Sequence, residues 1–533
     1  MAKTIIETPT AATVRPQTAL LMLRHHGGLR GLASTANSQL FEGRFGRMFR
    51  TLPAAEFPDA ALEDLAGHIT AEDEADVTPE TEADAEENTG ISAGITYLGQ
   101  FIDHDLTLDP MSSLQKQNDP DELTDFRTPR FDLDSLYGRG PDDQPYLYED
   151  DGLRFKLGRP LTGSAIDAKV RDLPRHASSA PNSRARALIG DPRNDENVII
   201  AQLHATMLRF HNRMVSFLTK DGQAPTFAEV QRQVRWHYQW VVLHDFLPTI
   251  VGKDTVEAVL PHLKKKESIY EHRPGLRFFH WRNGPFMPVE FAVAAYRFGH
   301  SMIRPQYRLN TTILTGGIDG KGRFAIFTPE DGVLGLNGFR EFPANWAIDW
   351  SLYFDLGNNA PKFGIKRVQP AYKLDSSLVN PLGTLPESVA RQIRSLAERN
   401  LKRGARMGLP SGQSVARHMD IEPLPDDKLR VGKATEEDGP GNPKLVDLSP
   451  AFKDNAPLWY YVLAEAQQQF KKDSTPIRLG AVGGRIVAEV FIGLLLGDSH
   501  SFLSQWPSWK PEPSFLSKGK FGMAELIKQA QLA

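Results

Sequence analysis

The sequence predicts a mainly α fold, built as a single large helical domain with little β structure. Residues 198–218 and 227–247 repeat apolar side chains at spacings of three and four, which is the period of an amphipathic helix. Residues 388–408 continue this pattern and stop at Gly408, shortly before Pro410. Alternation of polar and apolar residues between hairpin turns, which is typical of strands, is scarce.

The amino-acid composition excludes several classes of partner and metal site before any motif is considered. A chain of 533 residues with 40% hydrophobic and 24% charged side chains is large enough to bury a sizeable core. Its net charge of -4 is small for this length, and we expect no nucleic-acid partner. The absence of cysteine excludes disulfides, iron–sulfur clusters and haem ligated by a thiolate. Any metal would therefore be bound by nitrogen or oxygen atoms.

The first residues and the apolar stretches bear on localisation. Residues 1–28 lack a basic segment followed by an unbroken apolar run, so we expect no secretory signal peptide. The longest apolar stretch, residues 487–497, is too short to cross a bilayer and contains Glu489. We expect no transmembrane segment, and a protein that is cytoplasmic or exported by a route without a signal. The oligomeric state is left open.

A dense acidic run divides the chain. Residues 71–90 are rich in aspartate and glutamate and contain almost no residue that would build a core. A solvated surface loop is the favoured interpretation, with a calcium-binding or partner-binding tail as the alternative. The predicted organisation is an N-terminal extension with an acidic loop at 1–89 and a main domain at 90–533.

The segment GITYLGQFIDHDLTLDP, residues 94–110, places two carboxylates directly beside one imidazole. On a helix, Gln100 and His104 are four residues apart and share a face. Asp103 and Asp105 diverge from each other by about 200°. The two carboxylates are therefore expected to serve different neighbours.

This segment resembles the distal motif of the animal-type haem peroxidases, the superfamily of myeloperoxidase, lactoperoxidase and the prostaglandin synthases. The resemblance implies that His104 is the distal acid–base catalyst and that Gln100 orders water or a halide. It implies further that Asp103 forms an ester with haem and that Asp105 binds calcium.

Residues 190–213, GDPRNDENVIIAQLHATMLRFHNR, resemble the family segment that supplies the distal arginine and a second haem ester. The matching residues are Arg193 and Glu196, one helical turn apart. Asn197 stands where myeloperoxidase has a methionine joined to haem, so that link should be absent. His204 and His211 share a helix face, and we expect hydrogen-bonded core side chains there rather than a metal pair.

Two further stretches resemble the proximal side of the family's haem site. AAYRFGHSMIRPQYRLN, residues 294–310, is similar to the proximal helix. The similarity implies that His300 is the axial ligand of the haem iron and that Arg297 pairs with a haem propionate. ERNLKRGARMGLP, residues 398–410, nominates Asn400 as the partner of His300. Its amide is expected to accept the Nδ1 proton of the imidazole.

RTPRFDLDSLYG, residues 127–138, resembles the family's calcium loop. The resemblance implies ligands from Thr128, the Arg130 carbonyl, Asp132 and Asp134, together with Asp105 of the distal motif. Position 134 is a serine in myeloperoxidase, so this chain carries an additional carboxylate. A set of hard oxygen donors suits Ca²⁺.

The family resemblance implies a peroxidase with haem b, attached by esters, and Ca²⁺. Such an enzyme reduces hydrogen peroxide through a ferryl iron and a porphyrin radical, and oxidises a halide, thiocyanate or phenols. The main alternative is a fatty-acid dioxygenase or cyclooxygenase, whose radical tyrosine would occupy the position of Arg297, one step from Tyr296. A haem-binding sensor without catalysis is a minor alternative, disfavoured because His104 and Arg193 are both present.

Overall fold

A computed structural model of the chain describes most of the residues from 43 onward. The described ranges are 43–72, 78–80, 84–109, 114–119, 123–177, 185–283, 285–318, 320–329, 334–471 and 474–533. Residues 1–42 of the expected N-terminal extension, and residues 73–77 and 81–83 of the expected acidic loop, lie outside them.

Helices dominate the described residues, as predicted. The α-helices are α1 Asp59–Ile69, α2 Ala93–Leu106, α3 Asp134–Tyr137, α4 Val198–Leu218, α5 Phe227–Val241, α6 Leu247–Val251, α7 Lys253–Val259, α8 Pro261–Lys265, α9 Leu396–Arg406, α10 Gly412–His418, α11 Leu445–Leu448, α12 Leu458–Gln467, α13 Ala481–Gly497, α14 Phe502–Gln505 and α15 Met523–Gln531. Two π-helical segments, Val242–Phe246 and Glu290–Ala294, and several 3₁₀ turns complete the helical structure.

The strands are short and form three small sheets. They are β1 Gly43–Gly46, β2 Glu87–Ser92, β3 Thr124–Asp125, β4 Met287–Pro288, β5 Gln306–Tyr307, β6 Phe324–Ala325 and β7 Pro370–Tyr372. β1 lies between β3, which is antiparallel to it, and β4, which is parallel. β2 pairs with β7 and β5 pairs with β6, both antiparallel.

The predicted helices agree with the structure to different degrees. α4 has the predicted bounds, 198–218. The predicted helix at 227–247 continues from α5 through a π-helical segment into α6. The predicted start at residue 388 is wrong, because α9 begins at Leu396. There the Ser395 side chain accepts a hydrogen bond from the Glu398 backbone N–H and caps the helix.

One large hydrophobic core joins nearly all of these elements. The apolar helix α13 is buried within it, and its one carboxylate, Glu489, is 0% exposed. Glu489 accepts hydrogen bonds from the backbone N–H groups of Arg277, Phe278 and Phe279 and pairs with Arg485. These partners offset the cost of burying the charge. Within the described residues, no helix combines the length and apolar character needed to cross a membrane.

Residues 43–72 contribute to this same core. Leu62, Leu65 and Ile69 of α1 are fully buried, and α1 packs against α9. The Glu290 carboxylate accepts the backbone N–H groups of Met48 at 2.9 Å and Phe49 at 3.1 Å. The boundary between extension and domain at residue 90 stays a prediction, but residues 43–72 pack as part of the main body.

Hydrogen bonds of His211 and Asn212 connect α4 to residues 137–155. The Tyr137 hydroxyl donates to His211 Nδ1 at 3.0 Å, and His211 Nε2–H donates to the Leu153 carbonyl at 2.8 Å. The Asn212 side chain forms two hydrogen bonds with the backbone of Phe155, at 2.8 and 2.9 Å. His211 is thus a hydrogen-bonded core side chain, as predicted.

Close packing at Gly94 fixes the start of α2. A Cβ atom at this position would lie 2.5 Å from the Phe354 ring and from the Tyr353 carbonyl oxygen. We expect Gly94→Ala to lower the free energy of unfolding by about 1–3 kcal/mol, because the helix must shift. Urea denaturation monitored by circular dichroism measures the change.

Gly67→Ala in the exposed face of α1 is the matched control, since a Cβ there meets nothing within 4 Å. We expect it to raise the free energy of unfolding by up to about 1 kcal/mol through helix propensity. Equal effects of the two substitutions would contradict the proposed clash at Gly94.

Candidate active site

A chain of hydrogen bonds fixes the orientation of His104 on α2. His104 is 5% exposed, and its Nδ1–H donates to the Asn194 side-chain oxygen at 2.8 Å. The Asn194 amide nitrogen donates in turn to His204 Nδ1 at 3.0 Å. Among the described residues, Nε2 of His104 has no hydrogen-bond partner. The lone pair of His104 is therefore on Nε2, and His204 is a core side chain, as predicted.

His104 is neutral over the physiological pH range. Burial lowers its pKa to about 3, and the nearby Arg193 guanidinium contributes to the decrease. The Asn194 amide oxygen accepts the Nδ1 proton without adding a negative charge. His104 is thus positioned to act as a base through Nε2.

The local sequence of residues 190–197 shapes the turn that carries Arg193. The Asp191 carboxylate accepts from the Arg193 backbone N–H, and Pro192 occupies the first position of the 3₁₀ helix Pro192–Asp195. Asn197 then caps α4 by accepting from the N–H groups of Ile199 and Ile200. This turn brings Nη2 of Arg193 to 3.1 Å from the His104 carbonyl oxygen.

Gln100 and Glu196, both predicted site residues, contact each other. The Gln100 amide nitrogen donates to Glu196 Oε1, and Asn197 Nδ2 donates to Gln100 Oε1 at 3.4 Å. Burial raises the pKa of Glu196 to about 7. The structure therefore brings the predicted distal residues of α2 and of the 190–197 turn together.

The predicted proximal segment is a tight 3₁₀ helix, Ala295–His300, that follows a π-helical turn. With three residues per turn, Arg297 and His300 lie on one face. Asn400 of α9 contacts both. Its side-chain oxygen accepts from Arg297 Nη1 at 3.1 Å, and its Nδ2 lies 2.8 Å from His300 Nδ1.

The direction of the hydrogen bond between Asn400 and His300 differs from the prediction. We expected the amide oxygen of Asn400 to accept the Nδ1 proton, but the Arg297 guanidinium occupies that oxygen. The amide nitrogen therefore donates to His300 Nδ1. Ligation of a metal through Nε2 with a protonated Nδ1 requires the Asn400 amide to rotate and Arg297 to find another acceptor.

A cavity of about 170 Å³ lies between Asp103 and Arg193 on one side and Arg297 on the other, and neither His104 nor His300 lines it. It is strongly cationic. Its charged lining residues are Asp103, Asp109, Arg193, Arg297, Arg399 and Arg403. Burial and the nearby Arg403 lower the pKa of Arg297 to about 10. Four guanidinium groups against two carboxylates leave the cavity suited to an anionic ligand.

The predicted calcium residues converge on a second, buried site. Asp105, Asp132 and Asp134 offer carboxylate oxygens that lie within 4.8 Å of one another. Burial raises the pKa of Asp105 well above its usual range and that of Asp134 to about 8, and the neighbouring carboxylates add to both shifts. Arg127, 3.7 Å from Asp134, compensates this negative charge only in part, and a divalent cation would supply the remaining counter-charge.

Thr128 and Arg130 lie in the loop beside this cluster. The Thr128 hydroxyl donates to Asp132 Oδ2 at 2.8 Å, which places its oxygen next to the carboxylates. The Arg130 side chain points to Asp498, with 4.0 Å between Nε and Oδ1. The Arg130 carbonyl stays a predicted ligand.

Several site residues were missed by sequence reasoning. Asn194 lies one position after Arg193, in a stretch whose resemblance points to its arginine and glutamate alone. Arg399 and Arg403 flank Asn400 and share a helix face at a spacing of four, a signal visible in ERNLKR. No sequence signal pointed to Asp191, which accepts hydrogen bonds from Arg193, or to Arg127, which donates to Asp191.

Comparisons with known proteins show which families and folds the chain resembles. Residues 113–321 match the family model described as animal haem peroxidase. The chain is 27% identical over 276 residues to peroxidasin of Drosophila melanogaster, an alignment that covers 50% of this chain and 16% of that protein. It is 29% identical over 144 residues to thyroid peroxidase of Mus musculus, covering 26% and 14% respectively. The aligned segments thus span less than a fifth of these relatives.

Two solved structures show the same fold at low identity. Peroxidase A of Dictyostelium discoideum matches with a TM-score of 0.58 and 15% identity, covering 92% of this chain and 93% of that chain. The fatty acid alpha-dioxygenase of Arabidopsis thaliana matches with a TM-score of 0.52 and 13% identity, covering 90% and 74%. The chain thus resembles the animal haem peroxidases over part of its sequence and shares the fold of these two structures.

Proposed function

We propose that the protein is a haem peroxidase that reduces hydrogen peroxide and oxidises small substrates. The observation that carries this proposal is the state of His104. It is a buried, neutral imidazole whose Nδ1 proton is bound by Asn194, and Arg193 contacts its backbone carbonyl. A free Nε2 on a neutral imidazole, with a cationic side chain close to the same residue, fits proton transfer from peroxide.

The residues around the cavity fit haem b. Arg297, Arg399 and Arg403 would pair with its propionates, and His300 would ligate its iron through Nε2. Asp103 and Glu196 would form the esters. The cavity is smaller than a tetrapyrrole and is not lined by Glu196, His104 or His300, so haem binding would require side chains between the distal and proximal segments to move. Bound haem would supply an iron that coordinates peroxide and takes up its oxidising equivalents.

The chain's own residues would move the protons. His104 Nε2 would accept a proton from the near oxygen of peroxide and return it to the leaving oxygen. The Arg193 guanidinium would stabilise the negative charge that develops as the O–O bond breaks. Gln100 would order water or a halide near His104.

We propose further that Ca²⁺ binds at Asp105, Asp132 and Asp134, with Thr128 and the Arg130 carbonyl as additional ligands. The ion would neutralise buried carboxylates that otherwise have raised pKa values. Since Asp105 follows His104 directly, a bound ion would also fix the end of α2.

The reducing substrate is proposed only by class: a halide, thiocyanate or phenols. The contacts of Tyr296 favour a peroxidase over a dioxygenase. Its hydroxyl donates to the Gly99 carbonyl at 3.1 Å, and its ring stacks on Phe291. This tyrosine is therefore engaged with protein groups, while Arg297 occupies the position of the family's radical tyrosine.

Substitution of the two histidines should have opposite effects. We expect His104→Ala to retain the haem absorption spectrum but to react with hydrogen peroxide about 10²–10⁴-fold more slowly, because the proton acceptor is lost. We expect His300→Ala to lose haem during gel filtration. Absorption spectra and stopped-flow kinetics measure both effects.

His68→Ala, at an exposed histidine of α1, is the control and should match the unmodified protein in both measurements. The reverse pattern, with haem lost in His104→Ala and retained in His300→Ala, would exchange the distal and proximal assignments.

The pH dependence of the peroxide reaction tests the state of His104. A base acts in its neutral form, and a lowered pKa keeps His104 neutral as the pH falls through 6.5. We therefore expect the second-order rate constant with hydrogen peroxide to stay flat from pH 8 to pH 5, with calcium present throughout. A decrease with an apparent pKa near 6.5 would show that His104 is exposed to water.

The haem esters are tested by intact-mass spectrometry in denaturing solvent. After treatment with hydrogen peroxide, we expect the haem-loaded chain to retain the mass of haem, since ester formation requires the carboxylates and turnover. Asp103→Asn and Glu196→Gln should each retain one link, and the double variant should release all haem. Complete release from the unmodified protein would refute the esters while leaving the peroxidase activity possible.

A further inference from the structure

The Asp191 carboxylate holds two arginines at once. Asp191 is 0% exposed, and its Oδ1 accepts from the backbone N–H and Nε of Arg193 at 2.8 and 3.1 Å. Its Oδ2 accepts from Arg193 Nη2 at 2.7 Å and from Arg127 Nε at 2.9 Å. The two guanidinium groups therefore share one buried negative charge.

Arg127 also lies against the predicted calcium site. Its Nε is 3.7 Å from Asp134 Oδ1, a buried oxygen that accepts no hydrogen bond within the described part of the chain. Arg127 is thus placed between two carboxylates, one that would bind the ion and one that holds the distal arginine. Both side chains of this ion pair are nearly buried, so solvent screens the interaction weakly.

We propose that Arg127 and Asp191 couple calcium binding at Asp105, Asp132 and Asp134 to the position of the Arg193 guanidinium. This inference rests on the calcium site of the proposed function. Arg127 and Asp191 act as positioning residues, because neither lines the cavity that would hold haem.

The direction of the coupling follows from the charges. A cation bound at Asp134 neutralises that carboxylate and repels the Arg127 guanidinium. Arg127 then interacts with Asp191 alone and compensates more of its charge. The ion pair between Asp191 and Arg193 then weakens, and the Arg193 guanidinium can turn further into the cavity. Without the cation, Arg127 is drawn toward Asp134, and Arg193 is the main partner of Asp191.

Coupling between two sites is reciprocal, so it is measurable without haem or turnover. Removal of the Arg193 guanidinium leaves Asp191 free to draw Arg127 away from Asp134, which should tighten calcium binding. Isothermal titration of the full haem-free chain with CaCl₂ measures the Kd. We expect Arg193→Gln to lower this Kd on the order of five- to tenfold, the lower range of typical coupling between sites.

A double-mutant cycle isolates the role of Arg127. In the Arg127→Met background, we expect Arg193→Gln to change the calcium Kd by less than about twofold, since the connecting side chain is gone. Asp191→Asn should abolish the effect in the same way. Arg139→Met, at an exposed arginine that pairs with Asp143, is the matched control and should leave the effect of Arg193→Gln intact.

The possible outcomes are distinct. If Arg193→Gln changes the calcium Kd by the same factor with and without Arg127, the coupling is wrong, but the calcium site itself is not contradicted. A chain that binds no calcium would overturn both the coupling and the calcium site, and would leave the peroxidase proposal untouched. If Arg193→Gln does not fold, Arg193→Lys replaces it in the cycle. Arg193→Lys should also tighten calcium binding, because lysine cannot make the two-point contact with Asp191. The decrease in Kd should be smaller than for Arg193→Gln and should again require Arg127.

Discussion

The burial of His104 and Asp105 on α2, next to the half-buried Asp103, is the constraint on which the rest of the site depends. Each buried polar group left without a partner would cost about 1–3 kcal/mol, and a charged group more. His104 is satisfied by Asn194, and Asp105 accepts from the Leu133 N–H and the Ser135 hydroxyl. Asp103 accepts from Thr107 and lies in the cationic cavity. Because consecutive residues point to different sides of a helix, three separate segments of the chain must pack around α2.

The choice of an amide at position 194 has electrostatic consequences. Asn194 accepts from His104 through its oxygen and donates to His204 through its nitrogen, so it fixes the tautomers of both imidazoles. A carboxylate in its place would attract a second proton to His104 and favour the charged form. The neutral amide instead leaves burial and Arg193 to keep His104 unprotonated.

Sequence patterns predicted the helical fold, because helix periodicity is a local property, whereas the site residues were nominated by the family resemblance of their motifs and stay predictions. The period of three and four gave the bounds of α4, and Arg193 contacts the His104 backbone carbonyl, so these two motifs meet. Contacts between distant residues were not predictable in the same way. The pairing of Asn194 with His104 and the sharing of Asp191 by Arg127 depend on how segments dock. The false start of the helix before α9 arose because apolar periodicity alone does not reveal that the cap at Ser395 begins the helix.

Two of the four guanidinium groups that line the cavity are paired with carboxylates and two are not. Arg193 pairs with Asp191 and Arg403 pairs with Asp109, while Arg297 and Arg399 make no salt bridge with any residue that the structure describes. Arg297 donates instead to uncharged oxygens of Ala292 and Asn400. A dianionic ligand is therefore favoured with its carboxylates toward α9, since those guanidinium groups gain most from a counter-charge. Such binding would also draw Arg297 from Asn400 and release the amide oxygen for the Nδ1 proton of His300. The orientation of such a ligand and the direction of the hydrogen bond at His300 would thus be linked through Arg297.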